Sequence, residues 1–117
     1  FNTKDNPDIF IINSTIQYIE DYKNFFLEVF KQKPNHIILS QLLCGNFKTY
    51  YSEQNLYGFS SPVIFFNENE IVDIFLQNGY EVLIDFPTEE FWPDSYYKKI
   101  PNEMRIRETK NFIFKKL

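Results

Sequence analysis

Hydrophobic and polar positions follow two different periods along the first third of this chain. The run at 8–12, which is apolar from Ile9 onward, and the stretch HIILSQLL at 36–43 are typical of strands that are buried on both faces of a parallel sheet. Between them, apolar residues recur at helical spacing over 22–30, with Asp21 as the candidate N-cap and Pro34 as the stop. The pattern therefore predicts a βαβ unit.

The pattern changes after residue 43. Residues 44–62 are polar and carry isolated glycines and a proline, which predicts a long loop. A helix is predicted from about 68, because Asn67 and Glu70 form a capping-box pattern and Asn78-Gly79 closes the apolar periodicity. The remaining pattern predicts a strand over 80–86, a long connection over 87–106 and a last strand over 110–116.

This order predicts an α/β fold with an open sheet of about four strands, mostly parallel and flanked by helices. A long link precedes the last strand, so we expect that strand to insert antiparallel beside its neighbour. The 117 residues suffice for a single domain over 1–117. A composition that is 44% hydrophobic and 20% aromatic favours a packed core.

Composition also narrows the class of function. The net charge of −4 argues against a general nucleic-acid-binding protein. Cys44 is the only cysteine, so no disulfide framework or thiolate metal site is expected, and a reducing, cytoplasmic location fits. No apolar stretch is long enough for a membrane helix, and no signal-peptide pattern opens the sequence.

Uncharged polar residues follow the first predicted strand at once. Asn13, Ser14, Thr15, Gln17 and Tyr18 occupy this position. In open α/β sheets, ligands bind in the crevice beyond the carboxyl ends of the strands, where backbone N–H groups and short polar side chains can reach them. The pattern is explained equally well if Ser14 and Thr15 only supply the hydrogen bonds of a turn.

No catalytic residue can be assigned from the sequence. The three glycines are isolated, so no glycine-rich loop can hold a phosphate or nucleotide. His36 stands at the wrong end of its strand and has no second His or Cys nearby, which argues against a metal site or a triad. Cys44 has no predicted base beside it, and Glu89 and Glu90 are adjacent positions whose side chains should diverge.

Three stretches carry a resemblance to a known family: STIQYIED at 14–21, QNLYG at 54–58 with Pro62 and Asn67 beyond it, and NGYEVL at 78–83. In this order, and followed by the last strand, they resemble the second half of a class I S-adenosylmethionine-dependent methyltransferase. More narrowly, they are similar to a methyltransferase family often associated with bacterial surface-polysaccharide genes. The resemblance covers nearly the whole chain.

The resemblance implies a Rossmann-like methyltransferase sheet of which this chain would be a C-terminal fragment, holding the fourth to seventh strands. It implies S-adenosylmethionine as the cofactor and a small-molecule or glycan-related methyl acceptor. The glycine-rich loop and the acidic residue that bind most of the cofactor belong to the other half, so weak or no cofactor binding and little activity are expected of this chain. The implied site residues are Asn13 and Ser14 at the methionine end of the cofactor, and Tyr18, Gln54, Asn55 and Tyr57 toward the acceptor.

A fragment of this kind would leave its first strand as an open, apolar edge, and we expect it to self-associate through that strand or the neighbouring helix. A freestanding α/β interaction module without catalytic activity, which binds a partner through the same edge, is the alternative. A receiver-like or flavodoxin-like domain ranks last, because the acidic pocket or phosphate loop it would need is missing.

Overall fold

The computed structural model describes residues 8–56, 58–91, 99–106 and 108–117, and their side chains apart from 54–56, 59 and 89–91. These ranges contain seven strands, two α-helices and two short 3-10 turns, at Ile16–Tyr18 and Asn102–Met104. In chain order the elements are β1 (Ile9–Asn13), α1 (Tyr22–Lys31), β2 (His36–Leu42), β3 (Cys44–Gly45), β4 (Tyr50–Leu56), β5 (Phe59–Asn67), α2 (Glu68–Gln77), β6 (Tyr80–Phe91) and β7 (Glu108–Lys116).

The main sheet has the strand order β1-β2-β7-β6. β1 and β2 run parallel, with Ile9 opposite His36 and Asn13 opposite Ser40. β7 runs antiparallel to both of its neighbours. The prediction of a mixed α/β sheet with an antiparallel last strand is therefore confirmed. Because β7 lies between β2 and β6, only the β1–β2 pair is parallel, whereas a mostly parallel sheet was expected.

The predicted loop over 44–62 is wrong, because this segment forms strands. β4 and β5 make an antiparallel hairpin from the pair Tyr50–Phe65 to the pair Leu56–Phe59, and β3 pairs in parallel with the end of β5. Alternate residues of β5 point into two different clusters: Ile64 and Phe66 join the main core, while Val63 and Phe65 pack with Leu43 and Ile106. The alternation of apolar and polar residues expected of a hairpin is not visible in the sequence, because β4 is rich in polar residues and residues 63–66 of β5 are buried on both faces.

The predicted connection over 87–106 is also only partly irregular. β6 continues to Phe91, well past the predicted end at 86, and its register with β7 shifts twice, between Val82 and Ile84 and again between Pro87 and Phe91. Such irregularities are typical of an edge strand, and they permit a proline within it.

The main core lies between one face of the main sheet and the two helices. Phe26 and Phe30 of α1 meet Phe75 of α2 at ring-centroid distances of 5.0 and 5.1 Å. Phe75 in turn stacks on Phe114 of β7 at 3.8 Å. Leu39 of β2 is fully buried in the same cluster. The apolar face predicted for each helix is thus the face that packs on the sheet.

The opposite face of the main sheet carries a row of isoleucines that crosses all four strands. The strand registers place Ile11, Ile38, Ile113 and Ile84 side by side. Ile11 is 63% exposed and Ile84 is 50% exposed, so no described element covers either end of this row. No helix of the described residues is long and apolar enough to cross a membrane.

Candidate functional site

A shallow groove of about 440 Å³ lies at the carboxyl ends of β1 and β2. This is the position that an open α/β sheet offers to a ligand. Four strands of the main sheet contribute to it, and its lining consists of Asn13, Ser40, Gln41, Thr88 and Asn111 together with Phe86 and Pro87.

The end of β1 is fastened to the end of β2 by hydrogen bonds. The Ser40 hydroxyl donates to Asn13 Oδ1 at 2.7 Å, and the Ser14 backbone N–H donates to the Ser40 carbonyl at 3.0 Å. Thr15 Oγ1 donates to the Asn13 carbonyl at 2.6 Å. Ser14 has a φ of 48°, so the chain turns sharply away from the sheet here. The abrupt change from apolar to uncharged polar residues therefore marks the end of β1.

The end of β2 is tied to β7 in a similar way. The strand register shifts between Leu39 and Leu42, and Gln41 has a φ of 55°. This bulge presents the Gln41 backbone N–H to Asn111 Oδ1 at 2.9 Å. Asn111, which accepts this hydrogen bond, is also part of the groove lining.

The groove lining contains no titratable side chain among the described residues. Asn13 and Asn111 each use Oδ1 as an acceptor within the fold, and the described residues offer no partner to their Nδ2 groups. Two amide NH2 groups are thus left to donate hydrogen bonds to a carboxylate or carbonyl oxygen of a ligand. Such a lining can bind and orient a ligand through hydrogen bonds.

Gln17 adds an unused acceptor beside this turn. It is only 3% exposed, and its Nε2 donates to Ser14 Oγ at 3.1 Å. Its Oε1 has no hydrogen-bond partner among the described residues. A buried carbonyl oxygen left unsatisfied costs about 1–3 kcal/mol. A ligand N–H or O–H, or an ordered water, would remove that cost.

A charged cluster lies at the start of α2. Lys110 donates to Glu68 and lies 3.8 Å from Asp85. Burial alone would lower the pKa of Lys110, but the Glu68 hydrogen bond and the nearby carboxylates raise it. Burial, assisted by the charge of Glu68, raises the pKa of the Cys44 thiol to about 12. At neutral pH the amine and the thiol are therefore both held in their protonated forms, which are poor nucleophiles.

A hydrogen-bond network centred on Glu70 joins the hairpin to both helices. Glu70 accepts from the Tyr22 hydroxyl at 2.9 Å and from Thr49 Oγ1 at 2.7 Å. Asn67 Oδ1 accepts from the Glu70 backbone N–H at 2.8 Å, so the predicted N-cap of α2 is confirmed. The reciprocal half of the capping box is not formed, because the Asn67 N–H donates to Thr49 Oγ1.

Asp21 is the N-cap residue of α1, as predicted, but its side chain does not cap the helix. Its side chain makes no capping hydrogen bond to the backbone and instead accepts from Asn24 Nδ2 at 2.8 Å. No three His, Cys, Asp or Glu side chains of the described ranges are placed to hold a metal ion.

The five predicted site residues that the structure describes are spread over two regions. Asn13 lines the groove, and Ser14 lies directly beside it. Tyr18 is in the following 3-10 turn and is 46% exposed, outside the groove lining. Gln54 and Asn55 lie in the distal part of β4, opposite Ser61 and Ser60, and their side chains are outside the description. Tyr57 lies outside the described residues.

The groove residues that come from the other strands were not predicted from the sequence. Asn111 reaches the groove only through the register of β7 against β2, for which the local sequence holds no signal. Ser40 and Gln41 did offer one, because these two polar residues interrupt the apolar run of β2 where the bulge forms. The predicted role of the six site residues stays a prediction.

The fold is similar to that of a solved protein from Listeria monocytogenes described as a "putative S-adenosylmethionine dependent methyltransferase", with a TM-score of 0.66. The two sequences are 9% identical, and the similarity covers 100% of this chain and 65% of that protein. No protein-family model matches the sequence, and no curated protein matches it. The chain therefore has a methyltransferase-like fold, and it spans about two thirds of the length of that protein.

Proposed function

We propose that this chain is the C-terminal part of an S-adenosylmethionine-dependent methyltransferase, and that its groove is one wall of the pocket for the cofactor and the methyl acceptor. The observation that carries the proposal is that a methyltransferase fold accounts for the whole chain, including the hairpin and the antiparallel β7. The position of the groove at the carboxyl ends of β1 and β2 supports it.

The polar groups at the turn after β1 fit the amino-acid end of this cofactor. That end carries an ammonium group, which donates hydrogen bonds, and a carboxylate, which accepts them. The buried, unpaired Gln17 Oε1 is suited to the ammonium group, and the Nδ2 groups of Asn13 and Asn111 are suited to the carboxylate.

The remaining parts of the proposed site follow from the resemblance. Ser14 would border the methionine end of the cofactor with Asn13. Tyr18, Gln54, Asn55 and Tyr57 would contact the acceptor, a small molecule or a glycan-related compound of the kind handled by surface-polysaccharide enzymes. No glycine-rich loop occurs among the 117 residues, so the adenosine part would be bound by a further segment.

The proposed reaction requires these residues to position the reactants. When bound, the cofactor supplies a methyl group on a sulfonium, which is already activated for transfer. The side chains of this chain would hold the acceptor in line and exclude water, which is the positioning effect that brings two reactants to a high effective concentration. With no titratable group in the described lining, the groove would not take the acceptor's proton.

The reading frame upstream of the codon for Phe1 gives the first test. An in-frame segment that encodes a strand, a glycine-rich loop and a helix supports the proposal. A start codon directly before Phe1 contradicts it and favours a freestanding interaction module.

Calorimetric titration with S-adenosylmethionine gives the second test. We expect the longer protein to bind the cofactor and the 117-residue chain to bind at least about 100-fold more weakly, a difference of about 2.7 kcal/mol. In the longer protein, Asn13→Ala should weaken binding about tenfold, the effect of one lost hydrogen bond. The matched control is Asn24→Ala on the exposed start of α1, which should bind as the wild type does. Equal affinity of the two chain lengths would contradict the proposal.

A further inference from the structure

Among the described residues, three that are not glycine have a positive φ: Ser14 at 48°, Lys33 at 52° and Gln41 at 55°. This left-handed conformation is unfavourable for a residue with a Cβ, so each case needs a reason. Lys33 follows the last turn of α1 and donates its N–H to the Phe30 carbonyl, which is a common way for a helix to end. Ser14 and Gln41 are instead at the groove, and backbone strain of this kind is concentrated at binding sites.

The Gln41 side chain is the part of this residue that the fold does not use. The bulge of β2 needs only the Gln41 backbone N–H, which donates to Asn111 Oδ1 at 2.9 Å. The carboxamide lines the groove, is half-buried and has no hydrogen-bond partner among the described residues. A glycine would fit this backbone better, because it has no Cβ. The glutamine therefore contributes something other than stability, namely an unpaired donor and an unpaired acceptor.

The side of the groove that β6 forms is apolar. Phe86 lies opposite Asn111 in the register with β7 and is 44% exposed, and Pro87 follows it in the lining. The hydroxyl of Thr88 beside them is already engaged with Thr109 Oγ1 at 2.6 Å. This side therefore offers a ligand the rings of Phe86 and Pro87, and aromatic rings pack well against the flat faces of other rings.

We infer that Gln41 and Phe86 bind the methyl acceptor, and that the acceptor is an uncharged ring compound. The face of its ring packs on Phe86 and Pro87, and a hydroxyl or carbonyl group on its edge forms a hydrogen bond with the Gln41 carboxamide. This inference rests on the proposed function and adds the chemistry of the acceptor to it. The described lining holds no charged side chain that could pair with a charged acceptor, which favours an uncharged one.

Titration of the chain with two uncharged probes, followed by nuclear magnetic resonance, tests the inference. Benzamide has an aromatic ring and methyl β-glucoside has a saturated sugar ring, and both have polar groups on the edge of the ring. We expect at least one of them to shift the backbone amide signals of Gln41 and Phe86, with a dissociation constant of about 1–10 mM. The probe that binds shows whether the acceptor ring is aromatic or a sugar. Benzylammonium, a charged counterpart of benzamide, should bind at least about tenfold more weakly.

Gln41→Gly separates a binding role of this side chain from a structural one. The substitution removes the carboxamide but relieves the left-handed backbone, so the urea midpoint should not fall. Probe binding should nevertheless weaken about tenfold, the effect of one lost hydrogen bond. The matched control is Lys33→Gly, which relieves the same kind of strain at the end of α1 and should bind the probe as the wild type does.

Phe86→Ala tests the apolar side of the groove. It should weaken probe binding about 3–10-fold, because the ring contact is lost. The matched control is Leu83→Ala, at another exposed apolar position of β6 outside the groove lining, which should leave binding unchanged.

Several results would overturn the inference. They are no binding of either uncharged probe at up to about 50 mM, equal binding of benzylammonium, and undiminished binding by Gln41→Gly or Phe86→Ala. A lowered urea midpoint in Gln41→Gly would assign this side chain to the fold instead. None of these results depends on cofactor binding, so the inference can fail while calorimetry with S-adenosylmethionine supports the proposed function. If the ring probe binds but the longer protein does not bind the cofactor, the proposed function fails, and with it the acceptor role of the ring site.

Discussion

At the scale of single residues, the stability of this protein rests on buried phenylalanines. Phe75 contacts the rings of Phe26 and Phe30 on α1 and stacks on Phe114 of β7, so one side chain joins both helices to the sheet. We expect Phe75→Ala to lower the free energy of unfolding by about 3–5 kcal/mol, because it removes this burial and leaves a cavity. Urea denaturation followed by circular dichroism measures the change.

The neighbouring Leu76 supplies the control for that substitution. It lies on the same helix but is 52% exposed, so Leu76→Ala should change the free energy of unfolding by less than about 0.5 kcal/mol. An equal loss of unfolding free energy in the two variants would mean that the aromatic cluster is not the main source of stability.

The candidate site was only partly predictable at this scale. Asn13, which lines the groove, could be predicted because it follows an apolar run, and a strand end needs polar partners. Asn111 could not, since its contact with the Gln41 N–H joins residues 70 positions apart and depends on the register of β7. The unpaired acceptor of Gln17 is likewise a property of the packed fold.

At the scale of elements, α2 depends on the residue before its first turn. Asn67 accepts from the Glu70 N–H, and its Nδ2 donates to the Phe47 carbonyl at 2.7 Å, so it caps the helix and fixes the segment leading into β4. Asn67→Ala should cost about 1–2 kcal/mol of unfolding free energy. Asn67→Asp keeps the capping acceptor but loses the bond to Phe47, and should cost less.

Thermal or urea unfolding of these variants tests the cap, with Asn24→Ala as the reference. Asn24, in the first turn of α1, donates to the exposed Asp21 just before the helix, so its removal should cost less than about 0.5 kcal/mol. An Asn67→Ala protein as stable as the Asn24→Ala protein would contradict the assignment of Asn67 as the anchor of α2.

Elements with one dominant apolar pattern were predictable, and elements that depend on pairing were not. The helices and the strands β1, β2, β6 and β7 follow from periodicity and from the N-cap and glycine signals. The β4–β5 hairpin was missed because β4 is rich in polar residues while residues 63–66 of β5 are buried on both faces. Neither strand shows the alternation of a half-buried strand, and only their pairing makes them an element.

At the scale of the whole molecule, a buried thiol and several buried tyrosine hydroxyls make the free energy of unfolding depend on pH in the alkaline range. Burial raises the pKa of the Cys44 thiol from 9.0 to about 12, and burial raises that of the Tyr50 hydroxyl from 10.0 to about 12. Burial also raises the pKa values of Tyr22 and Tyr80, with Glu70 adding to the effect at Tyr22. In each case the unfolded chain releases the proton at a lower pH than the folded chain does.

These shifts fix the sign of the pH dependence. Their stabilising contribution is fully present below pH 9 and is lost as pH rises from 9 toward 12, because the unfolded state then binds fewer protons.

Urea midpoints at pH 8, 9, 10 and 10.5 should therefore fall progressively above pH 9. Tyr50→Phe lowers stability at every pH, since it loses the hydrogen bond to the Met104 carbonyl, but it should flatten the decline above pH 10. Tyr51→Phe, at the exposed neighbouring position, should decline as the wild type does. A wild-type midpoint that is constant from pH 8 to 10.5 would show that these protons are not held by the fold.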